Sequence, residues 1–163
     1  MEKILITMLI FLMIIPAVSA ENDLNSIIDG SNNNNVIILE NNIIVSSSMI
    51  IDKNLTITSN ENSVINGNSN QLFTVTKGNS LTLKGLTIIN AYEEYGGAIY
   101  NEGTLTIVNS SLNNNRALYY GGAIYNDGDL TIINSTISNN TATNQGGAIH
   151  NNLGKITIIN FLF

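Results

Sequence analysis

The acidic residues whose spacing could support catalysis are Asp127 and Asp129, which flank Gly128 in one short polar segment. Enzymes that cleave polysaccharides use paired carboxylates, or a base together with Ca²⁺ and an arginine. Arg116 is the single arginine and lies well before this segment. Glu93 and Glu94 are adjacent, so on a strand they would point to opposite faces. The segment equivalent to Asp127–Asp129 one repeat earlier lacks the acidic pair, so we expect a solvated turn and no catalytic residue.

Metal or cofactor chemistry has little support in the residue types. The chain has one histidine, His150, and no cysteine. A single imidazole without a thiolate or a nearby carboxylate cannot build a metal site. We therefore expect no metal ligand and no cofactor.

Aromatic residues recur at one slot and are the better candidates for a functional surface. Tyr100, Tyr125 and His150 occupy the same place in three successive repeats. Tyr95 and Tyr120, together with Tyr92 and Tyr119, precede this slot on what we predict to be loops. Tyrosine is enriched at binding hot spots, and aromatic faces contact both sugars and proteins. We expect Tyr100, Tyr125, His150, Tyr95 and Tyr120 to form a binding surface, the alternative being that they shield the flank of the coil.

These slots are set by a repeat in which the tetrad Gly-Gly-Ala-Ile begins at Gly96, Gly121 and Gly146. A constant period in the range of 20–50 residues is typical of a solenoid. Short runs rich in β-branched and aliphatic residues alternate with Gly, Asn, Asp and Ser, which predicts strands joined by turns. The sequence predicts an all-β, right-handed parallel β-helix with about 25 residues per coil. Three strand columns are expected, namely Leu-Thr-Ile, Ala-Ile-Tyr and the column of Leu112, Ile137 and Phe163.

Alternation along each strand assigns the faces. The threonine of each Leu-Thr-Ile run should point outward, which places Thr56, Thr82, Thr106, Thr131 and Thr157 in one column. We expect a buried core that contains Ile99, Ile124, Leu105, Leu130, Ile107, Ile132, Leu112 and Ile137. Glycine pairs suit a corner with a left-handed residue. Two asparagine columns, Asn101/Asn126/Asn151 and Asn109/Asn134/Asn160, are expected to stack their amides along the axis. An ice or mineral binder would need a second threonine rank beside the first.

The composition limits the compartment and the partners. Residues 1–20 combine Lys3, a long apolar run and Val18-Ser19-Ala20, which predicts a cleaved signal peptide. The net charge is −6, which argues against nucleic acid or anionic lipid as a partner. We expect a secreted or cell-surface protein with no membrane insertion after signal cleavage.

The chain divides into three segments on this interpretation. Residues 1–20 are the signal peptide, 21–53 a leader with an irregular capping coil, and 54–163 the regular repeats. A short helical turn is expected within the leader, at 23–29. The last coil carries exposed apolar residues and ends at Phe163, so we expect the repeats to be truncated at the C-terminus.

The repeat unit carries a family resemblance. Each Gly-Gly-Ala-Ile is preceded six residues earlier by Asn90, Asn115 or Asn140, and Leu112 and Ile137 take the place of a phenylalanine. This pattern resembles the GGAI/FxxN repeat of polymorphic outer-membrane proteins, and it is similar to the Asn-rich adhesin-like surface proteins of methanogenic archaea. In the first copy, Thr87 takes the phenylalanine slot before Asn90. The resemblance implies adhesion without catalysis, with a surface protein or glycan of a host or neighbouring cell as partner. A polysaccharide-degrading β-helix enzyme, a lyase or a glycoside hydrolase, is the alternative.

Overall fold

The computed structural model describes Ile14–Ile15 and residues 23–160. Apart from Ile14–Ile15, the predicted signal segment lies outside these residues, and so does Phe163. Strands β1 to β20 are numbered along the chain. Among the described residues, none of the helical segments is long and apolar enough to cross a membrane.

One helix precedes the coils. Helix α1 (Leu24–Asp29) begins after Asp23, whose carboxylate accepts a hydrogen bond from the backbone N–H of Asn25 at 3.3 Å. A side-chain acceptor at this position satisfies a donor that the first turn leaves free. Leu24 and Ile28 are buried against the first coil. The helical turn expected at 23–29 is thereby confirmed.

The strands form four parallel sheets that run along the solenoid, and most coils contribute one strand to each of the first three. The first sheet contains β1 (Ile14–Ile15), β2 (Asn35–Leu39), β5 (Leu55–Ser59), β8 (Ser80–Lys84), β12 (Thr104–Val108), β16 (Asp129–Ile133) and β20 (Lys155–Ile159). The second contains β3 (Ile43–Ile44), β6 (Val64–Asn66), β9 (Thr87–Ile89), β13 (Ser111–Asn113) and β17 (Thr136–Ser138). The third contains β4 (Met49–Ile51), β7 (Phe73–Val75), β11 (Ile99–Asn101), β15 (Ile124–Asn126) and β19 (Ile149–Asn151). The fourth contains β10 (Tyr92–Tyr95), β14 (Arg116–Tyr120) and β18 (Thr141–Ala142). The chain is a parallel β-helix.

The register confirms the predicted columns within the described residues. Leu105 pairs with Leu130, Ile99 with Ile124, and Leu112 with Ile137. Of the eight predicted core residues, all are buried except Ile137, which is half-buried. Among the described residues, β17 is the last strand of its sheet, and there Ile137 pairs with Leu112 on one side only. Thr56, Thr82, Thr106 and Thr131 of the first sheet alternate with buried residues and face outward, as predicted.

The fourth sheet was not predicted. Tyr92, Tyr95, Tyr119 and Tyr120 were assigned to loops, but they lie on β10 and β14. Strand β14 carries an extra residue, because the register shifts between Glu93 and Tyr95. This bulge also corrects the alignment of the first copy. Leu112 pairs with Ile88 rather than Thr87, and the neighbour of Asn115 in the coil before is Ala91, whose N–H donates to Asn115 Oδ1 at 3.0 Å.

The two predicted asparagine columns play different roles. Asn101 donates its amide to Asn126 Oδ1 at 2.7 Å, and Asn126 donates to Asn151 Oδ1 at 2.7 Å, so this column forms a ladder as predicted. The column of Asn109, Asn134 and Asn160 instead occupies left-handed turn positions, with φ of 48°, 47° and 53°. Asparagine tolerates this conformation better than other residues with a side chain. The amide stacking expected for this second column was therefore wrong.

The glycine corners match the prediction. Gly96 and Gly121 have φ of 62° and 67°, a region in which a side chain is strained. A Cβ at Gly96 would also lie 2.1 Å from the carbonyl oxygen of Ile99. Both constraints require glycine at the first position of the tetrad.

We predict that Ile124→Asp unfolds the coils around it. Ile124 is fully buried between Ile99 and Ile149, so an unpaired carboxylate there should lower the free energy of unfolding by about 3–5 kcal/mol. Urea unfolding followed by circular dichroism measures this change. The matched control is Thr131→Asp, an outward position of the same coil, expected to cost about 1 kcal/mol or less. Equal losses in the two variants would contradict the assignment of faces.

A second prediction concerns the amide ladder. Asn126 is buried and donates to both Asn151 and the carbonyl oxygen of Gly128. Asn126→Ala leaves the buried amide of Asn101 without its side-chain acceptor, and we expect a loss of about 2 kcal/mol or more. Asn151→Ala, at the exposed end of the ladder, should cost about 0.5 kcal/mol because water replaces the lost group. The same urea experiment compares the two, and a greater loss at Asn151 would refute a stabilising role for the buried rungs.

Candidate functional site

The structure brings all five predicted binding residues together in one cluster, called here the aromatic surface: Tyr95, Tyr100, Tyr120, Tyr125 and His150. Tyr100, Tyr125 and His150 are the middle residues of β11, β15 and β19. Because their neighbours along each strand point inward, these three side chains point out. Tyr95 and Tyr120 end the adjacent strands β10 and β14. The two groups meet at the Gly-Gly corner between the third and fourth sheets.

The first column of the aromatic surface is a stack along the solenoid axis. The ring centroids of Tyr100 and Tyr125 are 5.1 Å apart with an interplanar angle of 10°. Those of Tyr125 and His150 are 5.2 Å apart at 25°. The in-register pairing of Tyr100 with Tyr125 and of Tyr125 with His150 produces this stack.

The second column packs against the first. Tyr95 and Tyr120 stack at 5.8 Å and 21°, and Tyr95 meets the ring of Tyr125 edge-on at 5.5 Å and 82°. Tyr120 contacts His150 at 4.8 Å. Tyr119, which the sequence placed at the margin of this surface, also contacts Tyr95 at 5.6 Å.

These contacts decide what the aromatic surface offers to a partner. Rings stacked along the axis cover one another's faces, so they turn their edges and hydroxyl groups outward. The sequence-based expectation was that aromatic faces would contact the partner. In the stack the two ring faces of Tyr125 are covered, by Tyr100 on one side and by His150 on the other. The surface is therefore a rigid array of ring edges and polar tips.

Asp127 is tied to the aromatic surface, which the sequence did not indicate. The hydroxyl of Tyr100 donates to Asp127 Oδ2 at 3.1 Å, and Asn152 Nδ2 donates to Asp127 Oδ1 at 2.9 Å. Burial, followed by the hydrogen bond and charge of Asp127, raises the pKa of Tyr100 to about 12. Burial also raises the pKa of Tyr125. Asp127 follows Tyr100 by 27 residues, which is one coil of 25 residues plus two. This spacing, which places Asp127 in the turn just after the equivalent tyrosine of the next coil, is the feature of the sequence that could have predicted the contact.

The residues considered for catalysis, the aspartates Asp127 and Asp129 and the single arginine, do not line a common cleft. Asp127 and Asp129 line a shallow cleft of about 440 Å³ that also includes Glu102. Arg116 lines a different groove that shares none of these residues. Among the described residues, no group of three or more His, Cys, Asp or Glu is placed to hold a metal ion.

Comparison with known proteins identifies the repeat. The family model of the Chlamydia polymorphic membrane protein repeat matches residues 109–127 and 134–152. Within residues 109–152 the chain therefore carries two copies of a repeat similar to that of polymorphic membrane proteins. No curated protein and no solved structure matches it.

The matched segments contain the residues that form the turns, the Gly-Gly corner and the amide ladder of each coil. Each begins at a left-handed asparagine, Asn109 or Asn134. Each runs through the Gly-Gly corner and includes a rung of the amide ladder, Asn126 or Asn151. The motif asparagines Asn115 and Asn140 are also hydrogen-bonded to each other, at 3.1 Å. The family motif thus consists of residues that hold one coil on the next.

The shifted pKa of Tyr100 gives a prediction for alkaline pH. An unfolded tyrosine loses its proton near pH 10, whereas Tyr100 in the fold keeps its proton until about pH 12. The contribution of Tyr100 to stability should be fully present below pH 10 and be lost between pH 10 and 12, because in that window the tyrosine ionises in the unfolded chain but not in the fold. Tyr100→Phe should reduce the slope of unfolding free energy against pH. Part of this slope should remain in Tyr100→Phe, because the pKa of Tyr125 is also raised.

The role of Asp127 is tested by the same titration. Asp127→Asn removes the charge but keeps an acceptor oxygen, so the pKa of Tyr100 should fall towards 10 without reaching it. Ultraviolet difference spectra at 295 nm, with Tyr100→Phe to assign the signal, measure this ionisation. An unchanged pKa in Asp127→Asn would exclude the contact in solution.

Proposed function

We propose that this protein is an adhesin-like β-helix, secreted or held at the cell surface, that binds other cells or matrix without catalysis. The observation that carries the proposal is the aromatic surface, in which five aromatic side chains from three coils lie side by side. The match to a repeat of polymorphic membrane proteins supports a surface location.

The exposure and rigidity of this surface favour binding. Tyr95 is 37% exposed, and the other four members are half-buried. Stacked rings have already lost most of their rotamer freedom, so a partner would order few further side chains on binding. Aromatic residues held in this way are typical of binding hot spots.

The outward-facing chemistry favours a surface protein or glycan of a host or neighbouring cell as the partner. Hydroxyl groups and the imidazole of His150 offer hydrogen bonds beside apolar ring edges. An acidic protein with 6 Lys and Arg against 12 Asp and Glu is unsuited to nucleic acid, because phosphate binding requires basic side chains.

The enzyme alternative receives no comparable support. The carboxylate of Asp127 already accepts hydrogen bonds from Tyr100 and Asn152. Asp129 is exposed to solvent at the start of its strand. The two aspartates are therefore better explained as part of the turn and of the support for Tyr100.

We predict that Tyr100→Ala combined with Tyr125→Ala reduces binding to a cell, protein-array or glycan-array target by at least about 10-fold. Both side chains lie outside the core, so circular dichroism should show the same fold. The matched control is Thr82→Ala with Thr106→Ala, an outward pair on adjacent coils of the first sheet. It should bind like the unaltered chain.

Two results would contradict the proposal. One is equal binding by the tyrosine and threonine variants, which would place the contact elsewhere. The other is release of reducing sugars from a polysaccharide, lost on Asp127→Asn with Asp129→Asn, which would establish the enzyme instead.

A further inference from the structure

We infer a second binding site, distinct from the aromatic surface, that takes a carboxylate-bearing sugar such as a uronic acid. The site is a groove of about 620 Å³ at the corner between the second and fourth sheets. Its lining consists of Ser69, Asn90, Ala91, Tyr92, Asn114 and Arg116. The groove shares no residue with the aromatic surface, so this inference does not depend on the proposed function.

Arg116 supplies the recognition of the anion. It is the single arginine in a chain of net charge −6, and it is exposed at the start of β14. Within the described residues the ion pair that forms is Lys53–Asp52, so no carboxylate of that part of the chain neutralises Arg116. A guanidinium presents a planar fork that matches a carboxylate with two parallel hydrogen bonds.

Tyr92 orients this arginine. The guanidinium carbon of Arg116 lies 5.7 Å from the centroid of the Tyr92 ring, within the range of a cation–π contact. The backbone is fixed as well, because Arg116 N donates to the carbonyl oxygen of Ala91 at 2.9 Å. A guanidinium held in this way is preorganised for a ligand, which lowers the entropic cost of binding.

Polar groups of three successive coils supply the remaining contacts. Ser69, Asn90 and Asn114 occupy left-handed turn positions with φ of 67°, 56° and 55°, and all three are exposed. Their amide and hydroxyl groups can both donate and accept hydrogen bonds, as the hydroxyls of a sugar ring require. Because the three residues lie on consecutive coils, they form a row in which neighbouring residues are about 4.8 Å apart. The volume of the groove is in the range of small-ligand sites.

Charge limits the affinity. Glu93 and Glu94 follow Tyr92 on β10 and are exposed. The Glu93 carboxylate accepts a hydrogen bond from the N–H of Glu94 at 2.9 Å, which turns it towards its own backbone. Two nearby negative charges weaken the attraction of an anion, so the site should be weak for a single sugar and sensitive to salt.

The test uses the full chain with tri-galacturonic acid, and neutral galactotriose as the matched ligand. Nitrogen–proton spectra should show shifts at the Arg116 Nε–H and the Asn90 and Asn114 side-chain amides with the acid, and calorimetry should give an affinity that falls with salt. Arg116→Gln should weaken binding about 10- to 100-fold. Arg116→Lys keeps the charge but loses the planar fork of the guanidinium. Its affinity for the acid should lie between that of the unaltered chain and that of Arg116→Gln.

The remaining arms separate this site from its alternatives. Tyr100→Ala with Tyr125→Ala should bind the acid as the unaltered chain does, whatever happens to adhesion. Equal binding of galactotriose, or unchanged affinity in Arg116→Gln, would overturn the proposal. So would equal binding of acetate or of a short peptide carboxylate, because the site would then recognise a carboxylate without the sugar. Failure of tri-galacturonic acid to bind at all would also overturn it.

Discussion

Every coil of this protein has polar groups that only the next coil can satisfy. The constraint extends past the strands into the corners, where Gly97 N donates to Gly121 O at 3.1 Å and Ala98 N to Ala123 O at 2.9 Å. A buried polar group without a partner costs free energy comparable to a lost hydrogen bond. Each residue of a coil must therefore lie in register with its equivalent one coil away, and this requirement places residues that recur at the coil period in columns. The chain has no cysteine, so its stability depends on this stacking.

The same register builds the candidate binding surface. A tyrosine that recurs at the coil period is placed directly over its equivalent, as Tyr125 is over Tyr100. The stack is rigid, and its rings cover each other. The stack therefore presents ring edges and hydroxyl groups to solvent, together with His150 in the last described coil of the column. Tyr95 and Tyr120 of the adjacent strands are stacked as well, although a bulge shifts the register just before them.

The sequence predicted those features that alternation and period determine. The inward position of Ile99 and Leu105 and the outward position of Tyr100 follow from strand alternation once the period is known. The fourth sheet could not be found in this way, because all four residues of β10 are exposed and show no alternation. Residue type alone did not separate Asn101, buried in a ladder, from Asn109, exposed at a left-handed turn. The five members of the aromatic surface were predicted, but the orientation of their rings depends on stacking distances that only the structure gives.

The amide ladder also marks a boundary within the solenoid. In the coil before Asn101 the equivalent residue is Val75, and the buried Oδ1 of Asn101 has no hydrogen-bond partner within the described residues. On the Val75 side the column continues with Ile51, and both of these apolar side chains are fully buried. From Asn101 onward the column consists of asparagine side chains. The neighbouring outward position changes from Thr74 to Tyr100 between the same two coils. The segments that match the family repeat both lie on this second side. The amide ladder and the outward aromatic column thus begin in the same coil. Because the coil before it places the apolar Val75 next to Asn101, the buried Oδ1 of Asn101 is left without a hydrogen-bond donor within the described residues.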